Sequence, residues 1–175
     1  QNVMSDENKR QLMDEIVSFL QVIAVSNPRA AFNELSFVQL LKDLLKIDEY
    51  IDVLLPCFKT GILTTDDKCV VNILQQITLI VVQAMEDQNY VSIANKSILI
   101  LSETMNSIAK KSLKEYEDNN IFELISKFPS ASKNRESLVI SLKFFLNACL
   151  KFNSYIQTFT DMLIYQNLEE SFSYV

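Results

Sequence analysis

The chain has 175 residues, with one glycine, no histidine and a formal net charge of −6. At an average usage of about 7%, roughly twelve glycines would be expected, and a single glycine cannot supply a phosphate-binding loop or a dinucleotide fingerprint. The absence of histidine removes the commonest general base and zinc ligand, and the negative charge disfavours contact with nucleic-acid phosphates. Composition therefore predicts a protein that is not an enzyme, holds no cofactor or metal, and meets nucleic acid at most indirectly.

Hydrophobic residues make up 49% of the chain and charged residues 22%, which is typical of a globular protein. The length predicts a single domain over residues 1–175, and because the first residue is not methionine, we expect that domain to be part of a larger protein. Cys57, Cys69 and Cys149 are widely spaced and form no CxxC pair, which favours reduced thiols inside the cell. Charges interrupt the N-terminal segment, so no signal peptide is predicted and the expected location is cytoplasmic or nuclear.

Apolar residues at helical spacing divide the first third of the chain into three predicted helices. Asn27-Pro28 separates a first helix, over residues 6–25, from a second one over 30–46. A short third helix follows, and Gly61 stands where a left-handed helix stop is expected. Pro56 predicts a kink or an early end within this third helix.

The rest of the chain also predicts helices, and no segment alternates like a β-strand. Thr64 or Thr65, followed by Asp66-Asp67, is a strong helix start because acidic groups favour the positive end of the helix dipole. The apolar run 69–84 falls short of the ~20 residues that span a bilayer and contains several amides, so it predicts a core helix and no membrane contact. Further helices are predicted to end near residues 87, 117, 128 (before Pro129) and 152, and a last helix begins at Asn153.

Two stretches, 51–82 and 121–150, share an order of short apolar helix, loop and long apolar helix. The apolar residues Ile51, Leu54, Leu55 and Phe58 of the first recur as Ile121, Leu124, Ile125 and Phe128 in the second. The long helices also register with one another at about 41 residues, within the ~40–47 residues of HEAT and armadillo arrays. In this register Leu142 and Phe145 are predicted to be core residues.

The second stretch resembles an armadillo repeat, because its long helix ends in the tripeptide Leu146-Asn147-Ala148. The resemblance implies an all-α fold, a right-handed α-solenoid of about seven to nine helices in an irregular armadillo/HEAT-like form. The glycine that usually stands between the first two helices of such a repeat is missing here. A compact helical bundle is therefore the alternative.

Polar residues at helical spacing suggest a binding surface on the long helices. Lys143, Asn147 and Lys151 share one helix face at i, i+4 and i+8, and so do Ser102, Asn106 and Lys110. The resemblance implies that Asn147 and Asn106 hold the backbone of an extended partner, and the neighbouring lysines favour an acidic segment. The alternative is an ordinary solvated face. The complete candidate set is Gln76, Gln83, Asn106, Lys110, Lys143, Asn147 and Lys151.

The C-terminal segment is rich in aromatic residues, which suggests a docking surface or a contact with more protein. These observations predict a protein–protein interaction scaffold within a larger complex. It would bind its partner through the polar groove or through the aromatic end. The alternative is an obligate structural subunit, with homo-oligomers formed through the C-terminal helix. The aromatic residues are Phe152, Tyr155, Phe159, Tyr165, Phe172 and Tyr174.

Overall fold

A computed structural model describes residues 6–63, 66–108, 113–153 and 156–163. These residues form ten α-helices and a short 3₁₀ turn, Gln88–Tyr90, and include no β-strand. The all-α prediction is therefore confirmed. The count exceeds the predicted seven to nine because two expected helices divide. The helix over 30–46 divides at Glu34, whose backbone is extended, and the helix expected to end near residue 117 becomes Val91–Thr104 and Leu113–Asp118.

The helices fall into two layers that alternate along the chain. The first layer consists of α1 (Asp6–Ser26), α4 (Asp48–Ile62), α6 (Val91–Thr104) and α9 (Arg135–Lys151). The second consists of α2 (Pro28–Asn33), α3 (Leu35–Leu44), α5 (Asp67–Glu86), α7 (Leu113–Asp118), α8 (Ile121–Ser132) and α10 (Ile156–Leu163). In the first layer, α1 contacts α4, α4 contacts α6, and α6 contacts α9; in the second, α2 contacts α5, and α5 contacts α8.

The helices α4, α6 and α9 of the first layer run parallel and nearly flush. Successive helices of this layer start about 43 residues apart, close to the spacing of helical repeat arrays. Asp52 of α4 pairs with Lys96 of α6 at 2.7 Å, and Lys59, two turns further along α4, pairs with Glu103 at 3.1 Å. Because both pairs join positions separated by the same interval, the two helices point the same way.

The start of α5 was predicted correctly, and its cap also joins the second layer. The Asp66 carboxylate accepts a hydrogen bond from the backbone N–H of Lys68, and Arg29 of the α2 turn donates to it at 3.0 Å. The hydrogen bond from Arg29 lowers the pKa of the Asp66 carboxyl. The neighbouring Thr64 and Thr65 lie outside the described residues.

The two internal prolines do not end their helices. Pro56 lies inside α4, so the early end offered as one alternative there is wrong, and Pro129 lies inside α8, so the helix end predicted before Pro129 is wrong. The hydroxyl of Thr60 donates to the Pro56 carbonyl, and that of Ser132 donates to the Pro129 carbonyl. A proline removes one intrahelical hydrogen bond, and here the burial of the surrounding helix outweighs that loss.

Gly61 is required for packing and not, as predicted, for a left-handed helix stop. It is a buried residue of α4, and no described glycine has a positive φ. A Cβ atom at this position would lie 2.7 Å from Cγ of Phe32 and would also overlap Cδ1 of Ile73. The missing side chain therefore allows α2 and α5 to approach α4 closely.

The prediction that Leu142 and Phe145 both belong to the core is half correct. Phe145 is 1% exposed and packs edge-on against Phe144 and at a tilt against Phe122, whereas Leu142 is 46% exposed. The sequence alignment of 51–82 with 121–150 also compares helices of different layers, since α4 lies in the first layer and α8 in the second. The aligned apolar residues of those two short helices are nonetheless mostly buried.

Replacing Phe145 with alanine should reduce the free energy of unfolding by about 3–5 kcal/mol, because it leaves a cavity among the packed rings. Leu142→Ala on the same helix is the matched control, and its cost should stay below about 1 kcal/mol, since nearly half of the side chain is already in water. Urea denaturation of dilute protein measures both. Equal losses of unfolding free energy would contradict the assignment of Phe145 to the buried side of α9 and of Leu142 to its exposed side.

Gly61→Ala should destabilise the chain by about 1–3 kcal/mol through overpacking against Phe32 and Ile73. In an Ile73→Val background, which removes the overlapping Cδ1 atom, the same change should cost less, with a coupling of at least about 0.5 kcal/mol. A four-protein denaturation cycle gives this coupling. Additive costs would show that Ile73 does not limit the space at Gly61.

Candidate functional site

Asn147 lies at the contact between α6 and α9 and is half-buried. Its Nδ2 atom donates to the carbonyl oxygen of Ser102 at 2.9 Å and to the Ser102 hydroxyl at 3.0 Å. Both amide-donor contacts therefore go to a fully buried serine of the neighbouring helix. The carboxamide that the armadillo resemblance assigns to a partner backbone is here bonded, through its nitrogen, to the protein itself.

Lys151 and Asn106 meet one turn further along the same contact. Nζ of Lys151 donates to the carbonyl oxygen of Asn106 at 2.8 Å, while the side chain of Asn106 is exposed. Asn106 follows the end of α6, where carbonyl groups have no partner within the helix. Lys151 thus supplies a hydrogen-bond donor to a carbonyl group at the C-terminal end of α6, and the Asn106 carboxamide faces the solvent.

The surface formed by these contacts continues onto α4, and we call it the polar seam. Its members are residues that link α4 to α6 and α6 to α9, through their side chains or, for Asn106, through the backbone carbonyl. The ion pairs Asp52–Lys96 and Lys59–Glu103 are solvent-accessible, so each contributes at most about 1 kcal/mol to stability. The polar seam consists of Asp52, Lys59, Lys96, Ser102, Glu103, Asn106, Asn147 and Lys151.

The remaining candidate residues do not gather at one place. Lys143 is exposed on α9, one turn before Asn147. Gln76 is 3% exposed within α5, and in the described part of the chain its Oε1 atom has no hydrogen-bond partner. Gln83 is exposed near the other end of α5, where it lines a water-sized pocket with Lys42. Lys110 lies outside the described residues.

Both glutamines therefore belong to the second layer and are separated from the polar seam. Both lie on α5, and the prediction that they continue the polar surface of the long helices assumed that α5 lies in the first layer.

Only part of the aromatic C-terminal segment lies within the described residues. Phe152 is 4% exposed, whereas Tyr155, Tyr165, Phe172 and Tyr174 lie outside the described residues, as does the side chain of Phe159.

The three cysteines are free thiols in environments that disfavour a nucleophile. Burial raises the pKa of the Cys57 and Cys149 thiols, which reduces the fraction of thiolate at neutral pH. Cys69, the thiol closest to a helix start, is fully buried, and its Sγ atom donates to the Arg29 carbonyl. Cys57 and Cys69 are buried, whereas Cys149 is partly exposed.

Clusters of acidic and cysteine side chains suitable for a metal ion are absent from the described residues. The helix α5 is long and apolar enough to cross a membrane by length and composition alone. In the structure, however, 56% of its most apolar window is buried, and it contacts helices of both layers. This is the position predicted for the run 69–84, a core helix.

Two features of the surface escaped prediction from the sequence. The ion pairs of the polar seam join positions more than forty residues apart, and only the measured helix spacing makes them recognisable. The other feature is a row of exposed apolar residues on α9, which includes Leu146 and Leu150. Sequence periodicity could not identify that row as exposed, because α9 carries apolar residues on more than one side.

No family model matches the chain, and comparison with curated proteins and with solved structures gives no significant match. The function is therefore inferred from the chain's own geometry.

Asn147→Ala should lower the free energy of unfolding by about 1–2 kcal/mol, because the buried Ser102 hydroxyl loses its partner. Lys143→Ala, one turn away on the same exposed face, is the matched control and should change stability by less than about 0.5 kcal/mol. Chemical denaturation distinguishes the two. A neutral Asn147→Ala would mean that the seam does not hold α6 and α9 together.

Proposed function

We propose that this chain is a non-catalytic protein–protein interaction scaffold, a single domain of a larger intracellular protein. Its architecture is an irregular, right-handed α-solenoid of the armadillo/HEAT-like type. Its partner is a protein segment, extended and acidic, that lies along the polar seam and reaches Lys143. Neither membrane nor nucleic acid is a direct partner in this proposal.

The observation that carries the proposal is the parallel, flush contact of α4, α6 and α9 at a spacing of about 43 residues. In a helical bundle with short loops, neighbouring helices are usually antiparallel, whereas a solenoid stacks equivalent helices in parallel. Two of these helices are the third helix of a three-helix unit, α2–α3–α4 and α7–α8–α9. In each unit the first helix has six residues. This recurrence supports the armadillo-like form over a compact bundle.

The chemistry of the seam favours an extended, acidic ligand. The exposed Asn106 carboxamide can donate to one main-chain group and accept from another, whatever the partner's sequence. Lys96 and Lys59 are paired with Asp52 and Glu103, and the positive charge beyond these pairs comes from Lys143 and Lys151, in a chain whose net charge is −6. A local basic surface on an acidic protein attracts acidic segments while it leaves the rest of the molecule repulsive to them.

The absence of histidine and the burial of the Cys57 and Cys69 thiols support the non-catalytic part of the proposal. A general base near neutral pH would have to be a strongly perturbed carboxylate or lysine. The hydrogen bond from Arg29 lowers the pKa of the Asp66 carboxyl. A carboxyl of that kind is a weaker base than usual, so it suits a structural cap better than catalysis.

A photo-crosslinking amino acid placed at Lys143 should trap a partner protein in cells, because this side chain projects from α9 beside the polar seam. Lys143→Glu should then reduce recovery of the same partner about tenfold or more, since it reverses the charge that attracts an acidic segment. Quantitative mass spectrometry of the trapped protein measures both effects.

Lys127 provides the matched control, because it is an exposed lysine of α8 in the second layer. The crosslinker at Lys127 should not trap that partner, and Lys127→Glu should leave its recovery unchanged. If the two positions trap the same protein equally, or if Lys143→Glu has no effect, the seam is not the binding surface.

A further inference from the structure

Apolar side chains are exposed in a row along α9, and we call this row the leucine stripe. Val139, Leu142, Leu146 and Leu150 are 57%, 46%, 60% and 67% exposed. Their spacing of three or four residues places them on one side of the helix. The buried residues Ser137, Ser141 and Ala148 occupy the opposite side of α9, and Asn147, which bonds to α6, lies about a quarter turn from Leu146, so the stripe faces away from the core.

The helix at the opposite end of the first layer carries a similar row, which we call the α1 face. Leu12, Phe19 and Val22 are 47%, 65% and 60% exposed. Arg10 and Asp14 occupy the other side of α1, where they bond to Glu49 and Tyr50 of α4. The α1 face is therefore directed away from α4, just as the leucine stripe is directed away from α6.

We propose that a second copy of this chain covers the leucine stripe with its α1 face, so that copies associate head to tail. The template for this contact exists three times within the chain, in the α1–α4, α4–α6 and α6–α9 contacts of the first layer. A copy placed with α1 parallel to α9 continues the same series. Burying two rows of exposed apolar side chains supplies the driving force.

Charge favours α1 over a second α9 as the occupant. Arg135 lies seven residues before Leu142 on the side of the stripe, and Lys143 lies at its edge. Glu15 lies three residues after Leu12 and four before Phe19, within the α1 face. A flush, parallel contact brings Glu15 near Lys143, whereas α9 carries a single acidic residue, Glu136, against Arg135, Lys143 and Lys151, so two α9 helices would bring mainly basic residues together.

In a head-to-tail dimer, each copy has used one of its two surfaces and the other remains free to bind a further copy. Such an assembly keeps growing unless the rotation between successive copies closes it into a ring. The average mass of the protein should therefore rise with concentration beyond that of a dimer. This contact shares Lys143 with the proposed groove but does not use Asn106, so a protein trapped at Lys143 supports the groove only when mass spectrometry identifies it as different from this chain. A monomeric result would refute self-association and leave the proposed groove function untouched.

Sedimentation velocity over a wide concentration range tests the proposal with two variants that each block one end. Leu146→Glu places a charge in the leucine stripe, and Phe19→Glu places one in the α1 face; each should weaken self-association about tenfold or more. Leu79→Glu is the control, because Leu79 is 51% exposed on α5, away from both ends, and this variant should associate like the unmodified chain. Mixing Leu146→Glu with Phe19→Glu should yield a one-to-one dimer and nothing larger, because each partner retains one intact end.

Three results would overturn the proposal: an unmodified chain that stays monomeric at the highest concentration, a mixture that forms no dimer, or association that survives Phe19→Glu and fails only with Leu146→Glu. The last result would indicate a symmetric α9–α9 contact instead. Leu150→Glu and Val22→Glu repeat the test at neighbouring positions if either first variant melts at a lower temperature than the unmodified chain.

Discussion

The packing of α6 between α4 and α9 is the contact on which the rest of the structure depends. This helix is buried on nearly every side, touches both neighbours of its own layer, and also contacts α5 of the second layer. A helix pair cannot bury its apolar faces by itself, so each pair is stable only when stacked on the next. The polar seam follows from this packing, because parallel neighbours at a fixed spacing bring Lys96 and Asn147 against partners on the next helix.

The same constraint explains how the molecule distributes its polar and apolar surfaces. Within the first layer, side chains such as Asn147 and Lys151 are engaged in holding helices together, and the exposed Asn106 and Lys143 are the ones available to a ligand. At the ends of the layer no described neighbour exists, and leucines and a phenylalanine are exposed instead. Stacked repeats expose apolar faces at their ends unless a polar capping helix covers them. One packing rule thus accounts for both the proposed groove and the proposed self-association.

Several elements could be predicted from the sequence because their signals are local. Asp66 and Asn134 accept hydrogen bonds from the first backbone N–H groups of α5 and α9, as cap residues do, and both helices begin where expected. The prolines and the glycine were interpreted incorrectly because their roles depend on contacts with residues that are distant in the sequence. Pro56 and Pro129 continue through their helices because the surrounding residues are buried, and Gly61 is needed by Phe32 and Ile73, which lie far from it in the sequence.

Local patterns in the sequence were sufficient to predict that the chain is helical and which segments carry apolar stripes. They could not determine which stripe of α9 is buried. Phe145 and Leu142 are both apolar and lie on neighbouring sides of that helix, yet one is in the core and the other is exposed. Likewise, a carboxamide at Asn147 has the same chemistry whether it binds a ligand or Ser102. Only the tertiary structure decides between these uses, because burial and hydrogen-bond partners depend on helices more than forty residues away.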